Sequence, residues 1–162
     1  MNILIVEARY HPDVADALVD GATAALEKGG ARFERVTVPG VLELPAAIAI
    51  AARSLRPFDG YVALGCVTGP AHSADMFFTE TMRGLMALGA VTGPASIAAT
   101  FYTETMRGLT SISATGIALG QGIVIASDEG AARDLAMSHD IGGDAGRACL
   151  ALVTFGQRLG MS

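Results

Sequence analysis

Two runs in this chain are apolar at nearly every position, residues 2–6 (NILIV) and 61–67 (YVALGCV), and residues 117–126 (IALGQGIVIA) also read as a strand. A strand with one wet face alternates between apolar and polar residues. An unbroken run instead predicts a strand covered on both faces. Between the runs the periodicity changes. Pro12 and Asp13 open a helix with apolar or small residues at Val14, Ala17, Leu18, Gly21, Ala22, Ala25 and Leu26, and Gly29-Gly30 ends it. Residues 32–38 (RFERVTV) alternate and predict a strand nearer an edge. Pro39-Gly40 marks a turn, and a second helix starts at Glu43 or Pro45 and runs to about Ser54. Another turn spans 57–60, and helices follow the last strand at 128–137 and 143–159. Strands alternating with helices predict an α/β chain with a parallel sheet between two helical layers. Ligand sites in such sheets lie beyond the carboxyl ends of the strands. Here those ends are the loops at 7–12, 39–45, 67–75 and 126–129.

At 162 residues the expectation is a single domain spanning 1–162. A hydrophobic fraction of 51% against 17% charged residues excludes a disordered chain. The net charge is −5, and Lys28 is the sole lysine, so no basic cluster is available for nucleic acid. Cys66 and Cys149 sit in apolar surroundings and read as buried thiols. The three histidines lack metal-like spacing, and no metal is expected. No cationic leader precedes Glu7, and the apolar stretch 41–52 contains Glu43 and Pro45 and is too short to span a bilayer. The expectation is a cytoplasmic protein with no membrane partner. A mean hydropathy of +0.46 predicts that the chain buries surface against copies of itself.

The middle of the chain repeats. Residues 63–88 realign onto 87–112 with 17 of 26 positions identical. Each copy contains a strand end, a VTGPA loop and a TETMRGL segment. Two copies are too few for a solenoid and imply a duplicated loop-helix insert.

Four segments together resemble the lumazine synthase family: LIVEARYHPDVADAL, VTVPGVLELPAAIA, FDGYVALGCV and GGDAGRACLALV. The resemblance covers about residues 3–67 and 116–160. It implies a three-layer α/β/α sandwich with a flavodoxin-like parallel sheet of four to five strands. It also implies pentamers, assembling further into decamers or icosahedral shells, with active sites between neighbouring subunits. The implied reaction condenses 5-amino-6-ribitylaminouracil with 3,4-dihydroxy-2-butanone 4-phosphate in riboflavin biosynthesis, without cofactor or metal.

The resemblance also implies roles for particular residues, each with a plainer alternative. Tyr10 follows the first strand, where an aromatic stacks on the pyrimidine; the alternative is a loop tyrosine. His11 is placed to reach the same pocket. Gly40, Val41, Leu42 and Glu43 follow the second strand, with Glu43 holding ribityl hydroxyls or merely capping a helix. Cys66, Val67, Thr68 and Gly69 lie at the end of the third strand as substrate contacts. His72 is the implied proton-transfer residue, since imidazoles exchange protons near neutral pH. Its loop is one residue shorter than the family pattern, and the second copy carries Ser96 there. Arg133 is the candidate phosphate ligand, one position from the family's arginine, with a salt bridge as the alternative. Gly142-Gly143 offers free N–H groups at the start of the last helix, preceded by Ile141 where the family often has a lysine. Gln121 contacts substrate or ends a sheet. Arg83 and Arg107 each follow a glutamate by three positions and read as intrahelical ion pairs. The altered loop and missing lysine leave an alternative: a catalytically impaired homologue acting as a self-assembling shell or a flavin- or lumazine-binding protein.

Overall fold

The computed structural model describes residues 1–56, 58–88, 91–92 and 117–160. The expected parallel sheet is present. Strands β1 (Asn2–Ala8), β2 (Arg32–Val38), β3 (Gly60–Thr68), β4 (Val91–Thr92) and β5 (Leu119–Ala126) stand in the order β2-β1-β3-β5-β4, and every pairing is parallel. Helices α1 (Pro12–Lys28), α4 (Glu129–Ser138) and α5 (Ile141–Arg158) cover one face. Helices α2 (Leu44–Ala52) and α3 (Ala71–Leu88) cover the other, with a 3-10 turn at Val41–Glu43 leading into α2. This is the three-layer α/β/α arrangement.

The unbroken apolar runs form the central strands for the reason the sequence gives. Ile3 and Ile5 pack under α1 and α5, whereas Leu4 and Val6 pack under α2 and α3. Strand β2 lies at the sheet edge, and most of its residues are exposed. The second repeat copy from residue 93 onward lies outside the described residues, and so do Ser96 and Arg107. Its first strand does not: Val91 and Thr92 are the repeat counterparts of Val67 and Thr68. They form β4 against Leu119 and Gly120, at the start of β5, while Val67 and Thr68 pair with Ile125 and Ala126 at its end. In the first copy the expected ion pair forms, with Arg83 Nη1 3.1 Å from Glu80.

Among the boundaries that differ from the sequence expectation, those of β1, α2 and the last helix bear on the site. Strand β1 continues through Glu7 to Ala8, because the Glu7 carboxylate, although 2% exposed, accepts from Arg35 at 2.7 Å and from Arg9 at 3.0 Å. Buried carboxylates persist when they are paired in this way. Helix α2 ends at Ala52 instead of Ser54, and α5 begins at Ile141, two residues before the expected start. The glycines at 142 and 143 therefore lie within α5 and are buried. Their role is close packing. A Cβ on Gly142 would lie 1.8 Å from the Leu18 carbonyl oxygen, and one on Gly120 would lie 2.0 Å from that of Ala145. These two contacts press α5 onto α1 and onto β5.

Gly142→Ala and Gly120→Ala are each expected to lower unfolding stability by about 3 kcal/mol, as overpacking against backbone does. Gly130→Ala, where the nearest atom is the end of the Asp128 side chain, should change it little; urea denaturation reads all three. Asp128 caps α4 by accepting from the Ala131 N–H at 2.9 Å, and that bond holds its carboxyl below the usual value of 3.8. A lowered folded value stabilises the fold above the unfolded value, and the contribution is lost as pH falls through the folded one. The melting-temperature gap between the parent and Asp128→Ala should therefore be open at pH 7 and narrow as pH falls below the usual carboxyl value of 3.8.

Candidate active site

Parallel pairing brings the carboxyl ends of β1, β3 and β5 to one edge of the sheet. Ala8 pairs with Val38, and Thr68 pairs with Ala126. Four loops therefore gather there: Arg9 to His11 after β1, Pro39 to Glu43 after β2, Gly69-Pro70 after β3 and Ser127-Asp128 after β5. The Gly69 N–H donates to the Ala126 carbonyl at 3.3 Å and ties the third loop to the fourth.

His11 links the loop after β1 to the end of β3 and the start of α4. Its Nε2 lies 2.7 Å from Thr68 Oγ1, a hydrogen bond across 57 residues of chain. Its Nδ1 lies 3.5 Å from Glu129 Oε2, an ion-pair separation. The side chain is 16% exposed. Tyr10 stands beside it, edge to face at a centroid distance of 4.9 Å, with its own ring largely in solvent. An exposed aromatic at a loop cluster offers a flat apolar face to a ring-shaped ligand.

The segment after β2 divides by burial. Val41 is buried against Ala8 and Gly65, while Leu42 and Glu43 are exposed. Glu43 occupies the position before α2 but makes no side-chain capping bond, so its carboxylate points to no backbone partner there. Gly40 precedes the 3-10 turn in extended backbone.

At the end of β3 the four named residues also separate. Cys66 and Val67 are buried in the cores on opposite faces of the sheet, whereas Thr68 and Gly69 are partly exposed at its rim. Burial, and then the Glu129 charge, push the Cys66 thiol up to about 12, which keeps it protonated and non-nucleophilic. Cys149, on the buried face of α5, is likewise pushed up to about 12 by burial. The backbone of His72 lies in the first turn of α3, directly after Gly69-Pro70, and the side chain of His72 lies outside the described residues.

Gln121 lies mid-strand on β5, and Arg133 lies one helical turn beyond Glu129 on α4. Gln121 is buried, and its Oε1 accepts from the Ile123 N–H at 3.2 Å, on the edge of β5 that β4 meets only at Leu119 and Gly120. Arg133 lies on α4 and faces the start of α1, with Nη1 3.8 Å from Asp13 Oδ2, in a groove shared with Asp16, Asp20 and Met137. Ile141 is buried in the core. Sequence reasoning passed over Glu129, which has no signature of its own. The Ser127-Asp128 helix start placed it at the mouth of β5, but nothing local tied it to a histidine 118 positions earlier.

Comparisons with known proteins identify one family. A family model described as 6,7-dimethyl-8-ribityllumazine synthase matches residues 1–99. The chain is 40% identical over 167 aligned residues to 6,7-dimethyl-8-ribityllumazine synthase 1 of Rhizobium meliloti (strain 1021), covering 99% of this chain and 94% of that protein. It is 37% identical over 163 residues to the 6,7-dimethyl-8-ribityllumazine synthase of Sphingopyxis alaskensis, covering 99% and 98%. It is 36% identical over 162 residues to that of Bartonella tribocorum, covering 98% and 92%. Similarity of this extent, running from the β1 loop through the closing helix, makes the chain a member of the 6,7-dimethyl-8-ribityllumazine synthase family.

Proposed function

We propose that this chain makes 6,7-dimethyl-8-ribityllumazine, condensing 5-amino-6-ribitylaminouracil with 3,4-dihydroxy-2-butanone 4-phosphate in riboflavin biosynthesis. The near full-length likeness to synthases of that name carries the reading. Catalysis of this kind consists of holding two substrates together and moving protons between them. The Tyr10 ring stacks on the pyrimidine, Glu43 and the backbone at Gly40, Val41 and Leu42 hold the ribityl chain, and Thr68 and Gly69 border the reacting atoms. His72, at the start of α3, transfers protons, and Arg133 takes the phosphate. The exposed ring of Tyr10 and the uncapped carboxylate of Glu43 support the first two roles.

The chain forms one domain, with the duplicated segment 63–88 / 87–112 as an insertion at the sheet edge; the seating of Val91-Thr92 against β5 supports this. It acts in the cytoplasm, where the free thiols Cys66 and Cys149 fit a reducing compartment. Among the described residues no helix is long and apolar enough to cross a membrane. The chain assembles into pentamers or larger shells. Helix α2 (LPAAIAIAA) has no polar side chain, yet only Leu44 and Ile48 are buried, and Ile50 is 73% exposed. Met76 and Phe77 on the neighbouring α3 are exposed as well. A helix apolar all round is normally covered.

A second reading is binding and assembly without turnover. The pairing of Arg133 with Asp13 and the buried Ile141 favour it, since both weaken the case for a cationic phosphate site.

Mixing the purified protein with the two substrates should yield fluorescent lumazine, and sedimentation velocity should find particles of at least five subunits. An assembled parent that binds the product but forms none supports the second reading. Tyr10→Ala should raise KM for the uracil substrate about tenfold, the loss of one stacking contact of about 1.4 kcal/mol. Asp13→Asn frees the Arg133 guanidinium and should lower KM for the butanone phosphate; an unchanged KM assigns Arg133 to the salt bridge alone.

A further inference from the structure

We propose that Thr68, His11 and Glu129 form a proton relay for this reaction, with His11 as a proton-transfer residue in addition to His72. The inference rests on the synthase reading and deepens it. The three groups come from three separate strand ends and meet at the rim where the loops converge. The imidazole lies between a hydroxyl at 2.7 Å and a carboxylate at 3.5 Å.

The geometry selects a tautomer. A carboxylate near Nδ1 favours a proton on that nitrogen, because Glu129 only accepts. Nε2 then carries the free lone pair, and the short contact to Thr68 is read as Thr68 Oγ1–H donating to it. The Thr68 oxygen is thereby polarised, and it stands at a partly exposed position on the rim. Such a hydroxyl accepts a proton from a bound molecule as it passes its own to Nε2. The imidazolium formed faces the Glu129 carboxylate across 3.5 Å.

The condensation supplies work for this unit. Imine formation joins the amino nitrogen to the butanone carbonyl carbon; the nitrogen loses two protons in turn while the carbonyl oxygen gains two and departs as water, so the relay cycles twice. Each proton taken from nitrogen goes to Thr68 Oγ1 while the Thr68 proton goes to His11 Nε2. Reversal of the same path delivers a proton to the departing oxygen, and the relay returns to its starting state with no electrons exchanged. Imine formation, phosphate loss and ring closure each move protons, so the reaction has work for a second proton-transfer residue.

A hydrolase of the hydroxyl–imidazole–carboxylate kind is the competing use of such a trio. The N–H that follows Thr68 is committed, because Gly69 donates to Ala126. The backbone donor closest in sequence to the hydroxyl is thus unavailable to an oxyanion. Cys66 does not replace Thr68 as the relay, since its protonated thiol lies in the core.

Steady-state kinetics on the assembled protein tests the proposal. His11→Gln and Thr68→Val should each lower kcat about 100-fold, within the range for general acid–base groups, with KM for both substrates within twofold of the parent. Glu129→Gln, a positioning change, should lower kcat about tenfold. Added imidazole should restore part of the kcat of His11→Ala, a recovery that a merely structural role would not show. An active parent whose His11→Gln and Thr68→Val forms keep kcat within twofold overturns the relay and leaves the synthase reading intact. So does lost activity in His11→Ala without imidazole recovery, when sedimentation and thermal melting match the parent. A parent that forms no lumazine overturns both readings at once.

Discussion

The parallel register of β1, β3 and β5 decides where the rest of the molecule lies. Each of these strands is hydrogen-bonded along both edges for at least part of its length, and β1 and β3 are packed on both faces. Their carboxyl ends therefore cannot slide independently. A slip of one residue would turn Ile3 and Ile5 out of one core and Leu4 and Val6 out of the other. Because the register is fixed, Thr68 ends beside Ala126, the chain after β1 turns toward it, and His11 reaches its hydroxyl. The candidate site is a consequence of strand pairing before it is a set of side chains.

The close approach of α5 serves the same end. It lies almost on the backbone of β5 at Gly120 and on that of α1 at Gly142, and it closes the sheet face under which α1 must sit. Helix α1 begins at Pro12, immediately after His11, so the position of α1 sets the direction of the imidazole. The buried Glu7 carboxylate, held by Arg35 of β2 and by Arg9, ties the end of β1 to its edge neighbour two residues earlier. Arg9 in turn reaches Asp16 on α1, and that bond holds the Asp16 carboxyl below its usual range. A chain of charges thus links sheet edge, site loop and helix.

Much of this architecture was legible in the residues. The strand runs, the Pro12 helix start and the Gly29-Gly30 stop followed from periodicity and local backbone preference. The alternation of β2 marked it as the more exposed strand. Pairings between distant side chains were not legible. Glu7 looked like the start of a loop because nothing adjacent neutralises it; its partner Arg35 is 28 positions away. Gly142-Gly143 looked like an anion-binding helix start, because a sequence does not reveal that Leu18 lies 1.8 Å from where a Cβ would be. Cys66 and Thr68 share one face of β3, yet one lies in the core and the other at the rim, a difference that only depth in the sheet decides. The contact of Glu129 with His11 belongs to the same class.

The central claim is that the site lies at the carboxyl-end rim of the sheet. Hydrogen–deuterium exchange of the assembled protein with and without 6,7-dimethyl-8-ribityllumazine tests it most directly. The account predicts new protection at residues 8–13, 39–43, 67–73 and 126–130, and none at the opposite end of the strands. Protection confined to that opposite end, at residues 29–32 and 150–158 around Met1 and Phe155, would contradict it.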